Sequence, residues 1–323
     1  MVNRMSQNML ENIPKKFELP KSDNPLVSIV IPVYNQYSYT HACVYSIFKF
    51  TPSFIPYEVI ILDDCSTDET KIIKEEIKNI IVYRNQTNQG FLKNCNLYIP
   101  QARGKYIFLL NNDTEVTPGY IEPLLKTIRE VGVGLVGSCV LNTNGTIQSA
   151  GWSLFKDATP YPNYAGLSPN YLKNKKMDIF SAAGCSIFFE KNTWKKLGGF
   201  DETYMPAYYE DTDFSMRIRY QLKKRVVCVA DSRIFHYGSI SYQGKTCSLS
   251  YANQTKFCDR WKKQLEEFNL DKNNFVQYLD NLWRWDTIRI FGFPILKSYY
   301  KSGRKIYYFG KIKLFSKPFV YED

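Results

Sequence analysis

The chain has 323 residues, of which 44% are hydrophobic, 23% charged and 16% aromatic. That apolar share supports a packed core in one large domain or two modest ones, and it excludes a disordered, collagen-like or coiled-coil chain. Lys and Arg number 42 against 31 Asp and Glu, a net charge of +11, which suits a nucleic acid, an anionic membrane or a phosphorylated substrate.

Residues 1–24 read as an N-terminal extension without the apolar run of a secretory leader. Leu26–Val33 is a continuous apolar run and predicts a strand buried on both faces. Tyr39–Phe50 has helical spacing, Tyr57–Leu62 predicts a second strand, and Asp68–Lys78 a helix opened by Ser66 or Asp68. Ile80–Tyr83 is a short third strand, with a helix near Gly90–Ile99. Lys105–Leu110 is the fourth strand, and Pro118 marks the first turn of a helix running to Arg129. Strand–helix alternation at this rhythm predicts α/β architecture, a mostly parallel sheet flanked by helices.

The second half reads as α+β. Ile179–Phe189 and Arg225–Ala230 predict strands, Asp211–Leu222 a helix, and residues 155–178 a long loop. Beyond Gly244, Phe257, Trp261, Leu265 and Phe268 recur at near four-residue spacing, as in a helix. The last 41 residues hold 12 aromatics, and from Arg289 onward 8 Lys or Arg face 2 acids. Phe-Gly pairs at 291 and 309 suggest a small hairpin or docking tail. The expected division is therefore 1–24, a main domain over 25–245, and a C-terminal helical and basic aromatic extension over 246–323. Eight cysteines without C-x-x-C spacing read as reduced, mostly buried thiols of a cytoplasmic protein. No apolar stretch approaches the roughly 20 residues needed to cross a bilayer.

Ligands of a parallel α/β sheet bind beyond the carboxyl ends of its strands. Here those ends carry Pro32-Val33-Tyr34-Asn35, Asp63-Asp64-Cys65-Ser66-Thr67-Asp68, Asn88-Gln89-Gly90-Phe91 and Asn111-Asn112-Asp113-Thr114. Polar turns are common singly; four converging on one rim make a candidate site. Gly132–Gly137 matches G-x-G-x-x-G, but a helix precedes it and a strand-like run follows, the reverse of a dinucleotide-binding context. Gly244-Lys245-Thr246 lacks the earlier glycine of a P-loop, because Ser239 stands there. A nucleotide would therefore have its phosphates held through a metal on carboxylates.

The series Ile31-Pro32-Val33-Tyr34-Asn35, Asp63–Asp68, Asn88–Phe91 and Asn111-Asn112-Asp113, then Gly198-Gly199-Phe200-Asp201 and Glu210-Asp211-Thr212-Asp213-Phe214 with Arg217, resembles the family 2 glycosyltransferases of GT-A fold. The nearest flavour is the bacterial rhamnosyltransferase-like branch that builds surface polysaccharides, and the likeness covers about residues 26–242. It implies a UDP- or dTDP-sugar donor, with Pro32, Tyr34 and Asp64 at base and ribose and Asn35, Asn88, Gly90 and Asn112 on the same rim. It further implies Asp113 as the last acid of a DxD metal motif, with Asn111 and Asn112 replacing acids, and His236 as a second ligand for Mn²⁺ or Mg²⁺. Asp211 matches the general base of inverting members; Glu210 shares that role or orients the acceptor, a glycan or polyprenyl-linked hydroxyl. Asp213 and Arg217 read as organisers of their helix, and His41 as structural. The basic tail reads as packed on the domain, as a peripheral contact with the inner face of the cytoplasmic membrane, or as a surface for a partner. A catalytically inactive sugar-nucleotide or glycan-binding module is the alternative that Asn111-Asn112 raises. Nucleic acid is not an expected partner, since no binding motif accompanies the charge.

Overall fold

The structure, a computed structural model, describes residues 13–155, 157–238, 246–267, 286–290, 293–301, 304–309 and 312–318. Its first half alternates as β1 (Val27–Val33), α1 (Tyr37–Phe50), β2 (Tyr57–Asp63), β3 (Ile81–Arg84), α2 (Phe91–Tyr98) and β4 (Tyr106–Leu110). All residues of β1, β2 and β4 are buried. Side chains alternate across the pleat, so Val30, Ile60, Leu62, Ile107 and Leu109 enter one core layer. Ile29, Ile31, Val59, Ile61 and Phe108 enter the other. This is why the runs are apolar throughout rather than alternating.

The chain continues through β5 (Thr114–Val116), α3 (Ile121–Ile128), β6 (Val133–Leu141), β7 (Ile147–Ser149), β8 (Trp152–Leu154), β9 (Pro160–Pro162), β10 (Lys176–Asp178), β11 (Ser186–Glu190), α4 (Lys191–Leu197), α5 (Glu210–Tyr220) and β12 (Arg225–His236). The main sheet runs β10-β12-β6-β11-β4-β1-β2-β3. Pairs β4–β1, β1–β2, β2–β3 and β6–β12 are parallel. β11 lies antiparallel between β4 and β6. A parallel half thus meets a mixed second half, the expected GT-A architecture.

Register decides what meets at the rim. Val33 pairs with Asp63 and Asp63 with Arg84, so the ends of β1, β2 and β3 are level. Ser186 pairs with Leu110, which brings the start of β11 to the end of β4. His236 pairs with Thr114, which carries the end of β12 to the same place.

Three sequence expectations need correction. Residues 69–76 form a 3₁₀ turn and a single α-turn, because Ile77–Lys78 leaves the helix to pair with Phe17–Glu18; Asp68 is the N-cap, accepting from the Thr70 N–H. Residues 155–178 are not one loop: β9 pairs with β8, and β10 pairs with β12. Strand Ile179–Phe189 shortens to β11, since Ile179 bonds Val226, Ser181 bridges to Trp152, and the Ser186 N–H closes a turn on the Ala183 carbonyl.

The C-terminal helix α6 (Thr246–Glu267) forms as its spacing predicts, and Phe257, Trp261 and Leu265 join the same core layer as Val30; Phe268 lies outside the described residues. The expected helical extension gives way from Asp286 to an antiparallel meander of β13 (Asp286–Ile290), β14 (Phe293–Lys301), β15 (Arg304–Phe309) and β16 (Ile312–Pro318). Its Ile, Tyr and Phe content favours extended backbone. This agrees with the hairpin reading. Among the described residues no helix is long and apolar enough to cross a membrane.

Helix α5 is polar yet buried, so its charges must be answered internally. Asp213 accepts from Arg217 Nε at 2.6 Å and from Trp261 Nε1 at 2.9 Å. Arg217 also donates to the carbonyls of Leu197 and Gly199 at 2.9 and 2.8 Å. Without Arg217, Asp213 would keep only Trp261 and the partly exposed Arg260, whose Nε stands 3.4 Å away, and the Leu197 and Gly199 carbonyls would lose their donor. Arg217→Met should therefore lower unfolding free energy by about 3–5 kcal/mol in urea titration; a loss below about 1 kcal/mol, typical of an exposed pair, would contradict this.

Candidate active site

The rim is assembled by backbone donors and short polar side chains. Asn35 stands in the left-handed region (φ 59) and its Oδ1 accepts from the N–H groups of Thr67 (2.7 Å) and Asp68 (3.3 Å). Its own N–H donates to Ser66 Oγ at 2.8 Å, so the loops after β1 and β2 are tied together. Asp64 is buried and accepts from Asn85 Nδ2 (2.7 Å), Gln89 N–H (2.8 Å) and Gly90 N–H (2.8 Å). The segment holding Asn88 is thereby drawn onto the end of β2. Gly90 needs its φ of +82; nothing would crowd a Cβ there, so conformation alone demands glycine. Pro32 is buried in β1, and Tyr34 is 44% exposed at the strand end.

Beyond β4, the Asn111 N–H donates to the Cys185 carbonyl at 3.0 Å. Asn112 is buried and its Nδ2 donates to Thr40 Oγ1 at 3.0 Å. Asp113 differs from its neighbours. Its Oδ1 and His236 Nε2 are buried without a hydrogen-bond partner, and they face each other at 3.3 Å, close enough for an ion pair but without hydrogen-bond alignment. Gln148 Nε2 donates to Asn142 Oδ1 (3.2 Å) and to the His236 carbonyl (3.4 Å), which assigns Gln148 Oε1 as the acceptor 2.7 Å from His236 Nδ1. The neutral ring then carries its proton on Nδ1 and turns an Nε2 lone pair toward Asp113. Two lone pairs converging on one point suit a cation. Among the described residues no group of three or more His, Cys, Asp or Glu could hold a metal. Asp113 and His236 would therefore supply two ligands, leaving the rest to phosphate oxygens and water, as suits Mg²⁺ or Mn²⁺.

Opposite lies the start of α5. Glu210 is buried with Oε2 unpartnered, and burial followed by the Asp211 charge raises its pKa. Asp211 is half-buried, and burial raises it too. It is better supported, since Oδ1 accepts from the Thr212 N–H (2.6 Å) and Oγ1 (3.1 Å), and the Gly184 N–H favours its charged form. The Glu210 carboxyl also meets the backbone N–H groups of Glu210 and Tyr208, which oppose the rise in its pKa without cancelling it. Asp211 thus has the larger set of donors for its charged form, while the helix N-terminus favours an anion at either residue.

These groups share one neighbourhood. The Cys185 thiol is pushed up by burial and then by the charges of both Asp113 and Asp211. The Cys95 thiol responds in the same way to burial, Glu210 and Asp64. His41 stays apart, its Nε2 3.1 Å from the Lys15 carbonyl and its ring against Phe17 and Tyr37. All seven cysteines among the fully described residues are free.

Sequence reading missed Gln148, which nothing in its strand distinguishes, and Gly184. An ideal Cβ on Gly184 would lie 2.6 Å from Asp211 Oδ2 and 3.1 Å from its Cβ and Cγ. A lone glycine inside an apolar strand pattern was the available signal for such a close approach.

Comparison with known proteins gives a family model described as glycosyl transferase family 2, matching residues 28–196, or 169 of the 323. Chondroitin synthase of Escherichia coli is 31% identical over 200 residues, covering 60% of this chain and 26% of that protein. The O-antigen biosynthesis protein RfbC of Myxococcus xanthus is 26% identical over 248 residues, covering 71% and 18% respectively. The chain thus spans about a quarter or less of these relatives. Among solved structures, GalNAc-T7 with UDP, GalNAc and Mn²⁺ aligns with a TM-score of 0.62 at 19% identity, over 80% of this chain and 55% of that one, which shows a shared fold. The family match ends at Lys196, before Glu210, Asp211 and His236.

Gly184→Ala should push the Asp211 carboxylate aside and lower turnover by about 10²-fold, the usual scale for a misplacement near 1 Å. Thermal unfolding of the variant should stay within a few degrees of the parent. Wild-type turnover would contradict the close approach.

Proposed function

The chain belongs to glycosyl transferase family 2, and we propose that it is an inverting enzyme that moves a sugar from a UDP- or dTDP-sugar to a hydroxyl of a glycan or polyprenyl-linked acceptor. The observation that supports this reading is that Gly184 lies against Asp211 while the next residue, Cys185, lies within electrostatic reach of both Asp211 and Asp113, the partner of His236. A proton acceptor and a place for a charged leaving group would thus belong to one site.

Asp211 takes the proton of the acceptor hydroxyl as its oxygen bonds to the anomeric carbon. The bond from that carbon to the diphosphate oxygen breaks, and its electron pair leaves with the nucleoside diphosphate. A single ionised carboxylate on the acceptor side gives inversion, whereas retention by double displacement needs a second one as nucleophile. Glu210, whose buried Oε2 has no partner, is read as orienting the acceptor rather than as that nucleophile. Asp113 and His236 would hold a Mn²⁺ or Mg²⁺ ion, which supplies positive charge to the diphosphate. Tyr34 offers an exposed ring for the base. Asp64 has used three of its roughly four acceptor positions and keeps one for the base or ribose, so its larger task is to shape the pocket with Asn88 and Gly90.

The names of the relatives, chondroitin synthase and an O-antigen biosynthesis protein, favour polysaccharide synthesis as the setting. We take residues 25–245 as the catalytic unit. The basic aromatic strands beyond it suit an anionic membrane face on the cytoplasmic side, where a lipid-linked acceptor would reside.

Asp211→Asn should abolish nucleoside diphosphate release from a sugar nucleotide in the presence of acceptor, while calorimetry still detects UDP binding; surviving turnover would refute the base. The acid limb of kcat should lie above the ordinary aspartate range, because burial raises Asp211 and protonation removes the base. Gln148→Leu should raise the Mn²⁺ concentration for half-maximal activity by about 10–100-fold; an unchanged requirement would remove His236 from the metal site. Absence of any release with every donor and acceptor tried would favour the inactive binding module.

A further inference from the structure

We propose that Asn253, on the C-terminal helix α6, is a positioning residue that holds the 204–209 turn and so sets where the base stands; this rests on reading Asp211 as that base. Asn253 is 2% exposed. Its Nδ2 donates to the carbonyls of Tyr204 (2.6 Å), Ala207 (2.8 Å) and Tyr208 (3.2 Å). An amide has two N–H bonds, so the third contact is shared. Its Oδ1 accepts from Lys256 Nζ at 3.0 Å, and that ammonium also donates to the Thr203 carbonyl at 2.7 Å, which fixes the amide with its NH₂ toward the turn.

The turn needs such a clamp. Tyr208 (φ 78) and Tyr209 (φ 72) both occupy the left-handed region that disfavours side-chain-bearing residues. Tyr209 is the residue at which α5 begins, and it gives the helix no side-chain cap. The Tyr209 carbonyl accepts from the Asp213 N–H at 2.8 Å, so the first helical bond leaves directly from the strained turn, with Glu210 and Asp211 next in the chain. Three carbonyls gathered on one amide hold that conformation from outside α5.

Docking of α6 does not depend on Asn253. Phe257, Trp261 and Leu265 bury it against the domain, the Phe257 ring lies 5.3 Å from that of Tyr209, and Trp261 bonds Asp213. Changing the amide should therefore release the turn while the helix stays.

The test is Asn253→Asp, which keeps the shape but turns a carboxylate oxygen toward three carbonyls, measured beside Asp211→Asn in the full chain. Turnover is UDP release from the UDP-sugar that the parent uses fastest. The expected result for Asn253→Asp is a fall in kcat of about 10²-fold, a Kd for UDP with Mn²⁺ within about twofold of the parent, and faster hydrogen exchange confined to residues 204–213. Should that variant fail to fold, Lys256→Met removes only the exposed group that orients the amide. It should lower kcat by several-fold with the same exchange pattern. Parent-like turnover, unchanged exchange, or UDP binding lost in proportion to turnover would overturn the assignment. If Asp211→Asn is inactive while Asn253→Asp matches the parent, only the positioning role falls; if Asp211→Asn turns over, the base and the clamp fall together.

Discussion

Carboxylates taken out of water must be answered by opposite charge or by donors, and at the carboxyl edge of this sheet that demand sorts the acids into two groups. Asp63 is paired with Arg84 and accepts from the Ser66 N–H; Asp64 takes three donors; Asp213 is met by Arg217 and Trp261. These acids build the walls. Asp113 and Glu210 are left with buried oxygens that the protein does not satisfy, and His236 Nε2 joins them. Three of the seven such side-chain atoms among the described residues thus lie at one rim, where a donor substrate and its counter-charge would complete the set.

The two halves of the fold contribute differently. The parallel half brings backbone N–H groups and the Asp64 loop to one level, a consequence of register. The mixed half brings the side chains to which the proposal gives roles: β12 delivers His236 beside Asp113, and Gly184, shortly before β11, lies against Asp211 at the start of α5. The Gly198-Gly199-Phe200-Asp201 segment links the halves without touching the chemistry. Phe200 packs among Phe91, Trp194 and Phe214, and Asn96 on α2 exchanges hydrogen bonds of 2.9 Å with the Phe200 backbone. A motif in the sequence can therefore mark scaffold as readily as site.

The parallel half was legible because a strand buried on both faces needs an uninterrupted apolar run, and β1, β2 and β4 have one. The acids of the rim were legible because each follows such a run or opens a helix. What escaped depended on partners distant in the chain. The pairing of Ile77–Lys78 with Phe17–Glu18 broke a helix that local spacing favoured. β9 and β10 take their extended form from β8 and β12, not from their own Pro- and Lys-rich sequence. Gln148 meets His236 only because β7 and the end of β12 both pair with the end of β6, and Asn253 meets the turn before α5 only because α6 folds back onto it. Asn35 was legible as a rim residue but not as a tie between loops, since its partners at 66–68 come from the next strand end.

The most direct measurement is anomalous scattering from crystals of this protein grown with Mn²⁺ and UDP. The account predicts one strong peak within about 2.0–2.3 Å of both Asp113 Oδ1 and His236 Nε2, with the diphosphate on its open side toward Asp211. A UDP-bound structure whose manganese lies on other side chains, or whose Asp113 and His236 turn away from the diphosphate, would contradict it.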